Sequence, residues 1–564
     1  MARLNSPEDL EKLRQEVLSR NDPKRPCISI CAGTGCIACG AAGVVSAFEE
    51  DLRRQGLGDK ADVKRTGCHG FCEQGPAVVV HPDGVFYARV KPEDVPEIVS
   101  RTIKEKKVVE RLLYVDPATG QRVVHESEIQ FFEKQKRLVL GSNSRIDPGS
   151  IEDYLAVGGY SALVKVLRTM SPEKVISDIK ESGLRGRSGS GFPAGRKWEA
   201  CRNAEGETKY VICNCHEGDP GAFVDRMMME ANPHLVLEGM IIGAYSMAAH
   251  DGYIFVGGEF PLTVENVGIA IRQAEEHGLL GQNILGSGFD FTVRLSIDGG
   301  SYVCGESTAL MASMDGRVGE PIRKYDHATE RGLRARPTVL NNLQTWANVP
   351  LIINQGVERY RSIGTSGSKG TKVFSLTGAV VNTGMVEVPM GATLKEIVFD
   401  IGGGVRGGGK FKALQVGGPL GGFVPENQLN LKVDFDELGK AGLSMGPSLV
   451  VMDENACIVD TVKYFVTFLS DESCGKCTPC REVFRQILKV LNRISGGRGR
   501  EGDIELLKEL SDVQRDATLC ALGQGAPSPI DSALAHFRDE FEAHIGEKRC
   551  PAGVCRGLSA AGPR

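Results

Sequence analysis

The chain has 564 residues, is 41% hydrophobic and 25% charged, and carries a formal net charge of −5. These are ordinary values for a soluble globular protein of roughly three to five domains, and they leave no footprint for nucleic acid or an anionic membrane. No apolar run approaches the roughly 18 residues of a membrane span, and the polar N-terminus lacks an apolar signal core, so a cytoplasmic location is expected.

Residues 1–22 have a charged helical pattern. An apolar strand at Cys27–Ile30 leads through a glycine-rich turn to a helix at Ala42–Gln55. Strands follow at Ala61–Lys64, Ala77–Val80 and Val85–Arg89, then a helix from Pro92, which makes a small α/β domain. Residues 104–150 are charged and irregular and read as a linker. From Ser150 to about Pro350, helices alternate with short apolar strands at Tyr210–Cys213, Gly252–Val256 and Phe291–Ile297, an α/β layer pattern. Residues 351–430 are strand-rich with glycine turns and one short helix, Thr393–Ile397, which suggests a small β-grasp-like unit. From Cys457 to Ala543 the pattern is helical, broken at Gly496–Gly502.

The chain holds 17 cysteines. Without an export signal, clustered cysteines read as metal ligands rather than as a disulfide framework. Cys31 and Cys36 follow the first strand, and Cys68 and Cys72 follow the third predicted element, so two strand-end loops can bring four thiolates together. That set suits a [2Fe–2S] cluster, with glycines 33, 35, 67 and 70 letting backbone N–H groups approach the sulfurs. Tetrahedral zinc, whose ligands usually come as C-x2-4-C in both halves, is the rival reading. Cys27 and Cys39 read as spare thiols. Cys474, Cys477 and Cys480 form a C-x2-C-x2-C run that wraps one face of a [4Fe–4S] cubane, and Cys520 is the natural fourth ligand.

Between these sets, Gly183 to Trp198 carries five glycines and four cations. Gly-rich backbone leading into a helix makes an anion cradle, and Lys197 adds a charge for a phosphate. The stretch does not fit the P-loop pattern. Two further segments sharpen it: Asn214-Cys-His-Glu217-Gly-Asp219-Pro-Gly221, directly after a strand, and Tyr302-Val-Cys-Gly305-Glu306-Ser307-Thr308.

As a set, these motifs resemble the flavoprotein subunit of respiratory complex I. They resemble more closely the fused version found in soluble NAD(P)-linked hydrogenases and formate dehydrogenases. The resemblance covers nearly the whole chain. It implies an α/β multidomain protein with the following layout: an N-terminal helix plus thioredoxin-like [2Fe–2S] domain at 1–110, a linker at 111–150, a Rossmann-like FMN and NAD(P) domain at 151–355, a soluble-ligand-binding β-grasp domain at 356–430, a helical [4Fe–4S] domain at 431–545, and a cysteine-containing tail at 546–564. It places FMN against Gly186, Arg187, Gly189, Lys197, Asn214, Glu217, Tyr302, Gly305, Glu306, Asn341 and Asn342, with Ala521 and Leu522 facing it from beside Cys520. Phe192, Asp219, Ser307 and Lys324 fall to the dinucleotide. The flavin carries the chemistry, so no side chain is needed as acid or base.

The chain departs from the family pattern at Ser188 (usually Gly), His216 (usually Asp), Ser307 (usually a second Glu) and His327 (where an aromatic is expected). A carboxylate on the adenosine ribose selects NAD by bonding the 2′-OH and repelling a 2′-phosphate. With Ser307 in that place, and Arg323, Lys324, His327, Arg331 and Arg334 nearby, the pocket admits NADPH; NADH binding through Phe192 and Asp219 stays open as the other reading. His216 beside the flavin is a group able to titrate or tune its potential.

Cys457, His544, Cys550 and Cys555 suit a structural zinc site, one that the resemblance to hydrogenase subunits also implies. Longer relatives continue past this motif into a two-cluster ferredoxin domain, so partners are expected to take the electrons. These would be a small [2Fe–2S] subunit and an Fe–S-rich catalytic or ferredoxin-like subunit. The expected function is a diaphorase subunit passing electrons between NAD(P)H and iron–sulfur clusters through FMN, in a complex that includes bifurcating types. The alternative is a flavin and cluster relay that binds no nicotinamide nucleotide. A regulatory ligand-binding subunit is a weaker reading, since both cluster sets are intact.

Overall fold

The computed structural model describes residues 3–323 and 325–560. The N-terminal helix, Pro7–Arg20, is capped by Ser6, whose hydroxyl accepts from the Asp9 N–H at 3.1 Å. It buries Leu10 and Val17, and Arg14 reaches the carbonyls of Leu155 and Gly159 at 3.3 and 2.7 Å. The helix therefore docks on the central domain rather than on the small domain that follows it in sequence.

That small domain is a four-stranded sheet in the order Asp62–Thr66, Cys27–Cys31, Val78–His81, Val85–Tyr87. The first pair is parallel and places Cys31 opposite Thr66, so both cysteine loops leave the same end of the sheet. The segment expected as a linker is instead a packed strap. Phe131 stacks on Phe71 at 4.3 Å, Phe132 meets it edge-on at 5.6 Å, and both phenylalanines are buried. The charges around this pair mask it in sequence; burial of two aromatic rings is what orders the strap.

The central domain is a parallel sheet ordered Thr338–Asn342, Tyr210–Cys215, Asp251–Gly257, Thr292–Asp298. The strand at Thr338–Asn342 was not among those expected; it is short and ends in two polar residues. Behind the sheet the helix Pro233–Met247 is buried almost throughout, so it is apolar all round. Gly239 is forced there, because a Cβ would lie 2.1 Å from the Trp346 carbonyl oxygen. Trp346 itself stacks on Trp198 at 5.3 Å.

Next comes a mixed five-stranded sheet ordered Gly384–Pro389, Thr371–Gly378, Ser448–Asp453, Phe411–Val416, Gly422–Pro425. Its first and last strands in sequence lie side by side and parallel, the β-grasp arrangement. The sheet thus runs to Asp453, past residue 430 where the sequence pattern placed its end. The last strand is central, and its register with two neighbours is a tertiary fact. The C-terminal region packs helices Ile458–Asp471, Thr478–Ser495, Asp503–Ala517, Ser528–His536 and Arg538–Ile545 around Phe465, Phe484, Leu491 and Phe541. Among the described residues no helix is long and apolar enough to cross a membrane.

Candidate functional site

The first cysteine set converges. Cys31 and Cys36 Sγ are 3.2 Å apart and Cys68 and Cys72 Sγ 4.0 Å apart, while Cys31 also adjoins Cys68. The backbone crowds in as cluster sulfurs require. Gly70 N–H donates to Cys68 Sγ at 3.3 Å, and a Cβ on Gly75 would lie 2.6 Å from Cys36 Sγ. Cys39 is exposed and Cys27 half-buried, outside the set. The site is gripped from two sides. A Cβ on Gly67 would lie 2.2 Å from Ala231 Cα of the central domain, and Met385 N–H of the β-grasp sheet donates to Gly70 O at 2.7 Å.

The second set also converges. Cys474, Cys477, Cys480 and Cys520 line one small cavity with Val303, Pro321 and Leu522. Cys477 and Cys520 sit at helix N-termini, and at Cys520 burial raises the thiol against the pull of the Gly523 and Leu522 N–H groups. Gln514 Nε2 donates to Cys480 Sγ at 3.5 Å. Both donor sets, all thiol and closely spaced, fit iron–sulfur clusters.

Between them, the ends of the parallel strands gather the polar residues, the usual place for a ligand in such a sheet. Asn214 Nδ2 donates to Gly305 O at 3.1 Å, and Lys197 Nζ donates to Leu340 O at 2.9 Å. The Asn341 amide, oriented to accept from Trp198 Nε1 at 3.0 Å, donates to Leu340 O at 3.2 Å. Glu217 accepts from Val224 N and Arg226 N at 2.8 and 3.1 Å. Burial, with Asp225 beside it, pushes its carboxyl up to about 8. Asp219 accepts from Tyr302 OH at 2.7 Å and is pushed up to about 6 by burial. Asp225 binds the Asn342 amide and accepts from Gln344 Nε2 at 3.1 Å. Backbone lines the pocket: a Cβ on Gly218 would meet Tyr302 at 3.0 Å, and one on Gly305 would meet His216 Nδ1 at 3.1 Å. The His216 ring is buried, its Nε2 is without a hydrogen-bond partner, and Asp298 Oδ2 stands 3.7 Å away. Amides, one ammonium, buried carboxyls and an orphaned imidazole nitrogen gathered at glycine-rich strand ends fit a phosphorylated flavin.

Some expected residues stand elsewhere. The Arg187 guanidinium is buried against Tyr360 OH and Lys369 O at the β-grasp border, and its backbone N–H donates to Thr345 Oγ1 at 3.0 Å, so its charge is spent inside the fold. Gly186 and Gly189 lie in the same loop, with Gly186 N–H donating to Phe192 O at 2.8 Å. Glu306 caps the helix Ser307–Met314 through Thr308 N and Ala309 N, and Ser307 Oγ donates to it at 3.0 Å. Phe192 is 51% exposed, free to cover a ligand. Leu522 is buried in the cluster cavity while Ala521 is exposed. Lys324 lies outside the described residues.

Two residues were not legible in sequence. Lys372, a buried lysine of the β-grasp sheet, donates to Arg187 O at 2.6 Å and faces Asp225; burial pushes it down to about 8. Arg137, on the strap, reaches the Cys68–Cys72 loop of the first cysteine set. A single cation inside a strand or a charged stretch carries no signal before the domains are assembled.

The tail set is tight. The donor atoms of Cys457, His544, Cys550 and Cys555 all lie within 4.8 Å of one another and all four residues are buried. His544 Nδ1 donates to Glu540 O at 2.6 Å, which turns the Nε2 lone pair to the thiols, 3.5 Å from Cys457 and 3.4 Å from Cys555.

The sheet, the polar cluster at its strand ends and the flanking thiol sets define an iron–sulfur flavoprotein. Residues 16–102 match the thioredoxin-like [2Fe–2S] ferredoxin family, 179–351 the Nuo51 FMN-binding domain, and 460–544 the NADH-ubiquinone oxidoreductase-F iron–sulfur binding region. The NADP-reducing hydrogenase subunit HndC of Solidesulfovibrio fructosivorans is 46% identical over 427 residues, 76% of this chain and 87% of its own. An NADH-quinone oxidoreductase subunit of Escherichia coli (strain K12) is 41% identical over 414 residues, 73% of this chain and 93% of its own. A chain of the NAD+-reducing [NiFe]-hydrogenase, crystallised in the H2-reduced state, superposes over 96% of this chain and 90% of its own, with a TM-score of 0.65 and 25% identity. The chain belongs to the family that unites this NADH-quinone oxidoreductase component with the hydrogenase component HndC.

Proposed function

We propose that this chain is the diaphorase subunit of a cytoplasmic, multisubunit hydrogenase, formate dehydrogenase or related reductase. It passes electrons between NAD(P)H and iron–sulfur clusters, with partner subunits that carry further clusters. The observation that carries this reading is one turn, Tyr302–Gly305. On one side its Tyr302 hydroxyl meets Asp219 and its Gly305 borders His216; on the other its Val303 lines the Cys474/Cys477/Cys480/Cys520 cavity. Tyr302 N–H donates to Glu472 Oε2 at 2.8 Å and Lys476 Nζ donates to Pro321 O at 3.2 Å, so the turn and the cluster loop are tied together. FMN, when bound, converts a hydride pair into single electrons. Lys197, Asn214, Asn341 and Asn342 would hold it, and Phe192 and Asp219 would orient the nicotinamide nucleotide. The location rests on cysteines that gather as metal-ligand sets rather than as a disulfide framework, the usage of a reducing compartment. The test is anaerobic addition of NADH or NADPH to the purified flavin-loaded chain. Bleaching of the flavin absorbance supports the proposal; a flavin that dithionite reduces but neither nucleotide does would make the chain a relay.

Nucleotide choice follows from Ser307. It offers a hydroxyl where a carboxylate would repel a 2′-phosphate, and HndC is by name NADP-reducing. Introducing the charge, Ser307→Glu, is expected to lower the NADPH-to-NADH ratio of kcat/KM by about tenfold or more. An unchanged ratio at equal salt would show that Ser307 does not face the ribose.

A further inference from the structure

We propose that Arg137, on the strap between the first two domains, is a positioning residue that sets the reduction potential of the Cys31/Cys36/Cys68/Cys72 cluster. The proposal rests on those four cysteines being cluster ligands.

Arg137 Nη2 donates to His69 O at 2.7 Å, the carbonyl next to ligand Cys68, and to Leu140 O at 3.2 Å. It would lie 3.8 Å from a Cβ on Gly70. Its guanidinium sits 5.1 Å over the Phe132 ring, and Nε is sealed from solvent with no partner. Among the described residues, no carboxylate comes within ion-pair distance of it. The acids that act on it from beyond that distance are Glu126, whose Oε1 is buried without a hydrogen-bond partner, and Glu387, which is already occupied by Val139 N, Leu140 N and Thr371 Oγ1. Burial accordingly pushes the guanidinium down from its ordinary value.

A part-buried cation with no carboxylate in contact is costly. A four-thiolate [2Fe–2S] cluster supplies the missing negative charge, and it gains one more on reduction. A fixed cation at this place therefore stabilises the reduced state more than the oxidised one and raises the potential. The cation is held rigidly. The Glu387 carboxylate accepts from Val139 N and Leu140 N at 3.0 and 2.9 Å, and Asn143 Nδ2 donates to Cys68 O at 3.2 Å. The strap thus presents Arg137 and Asn143 to the two consecutive carbonyls of Cys68 and His69. Its attachment to the β-grasp sheet couples that sheet to the cluster.

The test is an EPR-monitored redox titration of the [2Fe–2S] signal in the full-length, cluster-loaded chain, comparing wild type, Arg137→Lys and Arg137→Met. Arg137→Met is expected to shift the reduced-to-oxidised ratio at fixed potential about tenfold toward oxidised, about 59 mV for a one-electron couple. Arg137→Lys, which keeps the charge, is expected to stay near wild type. Equal potentials in all three would overturn the proposal, as would equal shifts in Lys and Met, which would mark a packing role. If Arg137→Met loses its cluster, Arg137→Gln takes its place, with Asn143→Leu as control: that change removes a bond to the same loop without removing charge, and a shift in Asn143→Leu as large as in Arg137→Gln would again overturn the proposal. A wild-type chain without a [2Fe–2S] signal would instead sink the cluster assignment itself.

Discussion

Replacing Cys520 by alanine is expected to cut electron delivery from the flavin to partner subunits on the order of 100-fold or more, the scale reached elsewhere by losing mere supporting residues of a metal site. Cys520 begins the helix Ala521–Gly525, beside Leu519 and Leu522 and across the cavity from Cys474, Cys477 and Cys480. Its removal leaves three thiols from one loop and none from the facing element. The [4Fe–4S] EPR signal should disappear. The polar cluster around Asn214, Glu217 and Asp219 lies on the other side of the Tyr302–Gly305 turn, so FMN content and reduction of a dye that takes electrons directly from the flavin should stay within about threefold of wild type. Retention of the [4Fe–4S] signal in the variant would mean that a different residue is the fourth ligand. Loss of dye reduction together with the signal would mean that the cluster cavity and the flavin site fold as one unit.

The second large effect concerns the tail. Cys550→Ser should abolish binding of one zinc per chain and lower stability by about 4 kcal/mol, the range typical of losing a structural metal. For a helical region of about 100 residues that is a fall in Tm of roughly 15–30 °C. The site joins residues far apart in sequence. Cys457 starts the helix Ile458–Asp471, His544 lies near the end of Arg538–Ile545, and Cys550 and Cys555 lie in the turn beyond. His544 is preset, because Nδ1 is held by Glu540 O while the Glu540 carboxylate also accepts from Ile458 N at 3.1 Å and pairs with Lys412 at 2.6 Å. A bound ion therefore closes the ring of C-terminal helices onto the β-grasp sheet. Elemental analysis of the wild-type chain and melting with and without a chelator check this. Only trace zinc in the wild type, or identical melting of Cys550→Ser, would reject it.

The convergence of the two cysteine sets was legible because such spacing is chemistry: thiolates that surround a small inorganic core come from only a few loop lengths. The parallel-sheet domain was legible for the same kind of reason, since buried strands must be apolar and their ends must carry polar residues. The strap was not. Phe131 and Phe132 are two apolar residues in a charged stretch, and nothing local says that Phe71 will cover them. The strand Ser448–Asp453 was missed because a central strand is defined by its neighbours, Thr371–Gly378 and Phe411–Val416, one long before it and one closer.

By itself, the sequence determined which atoms are available: two four-thiol sets, a three-thiol and imidazole set, and a glycine-rich stretch with amides and carboxyls. Those follow from residue type and spacing. The tertiary structure decided which charges face them. Arg187 belongs to a domain border, Lys372 comes from another domain to face Asp225, and Arg137 comes from the strap to the Cys68 loop. A charge acts through space and through the dielectric around it, so its effect is set by the packing that brings it near and removes water, which no run of neighbouring residues encodes.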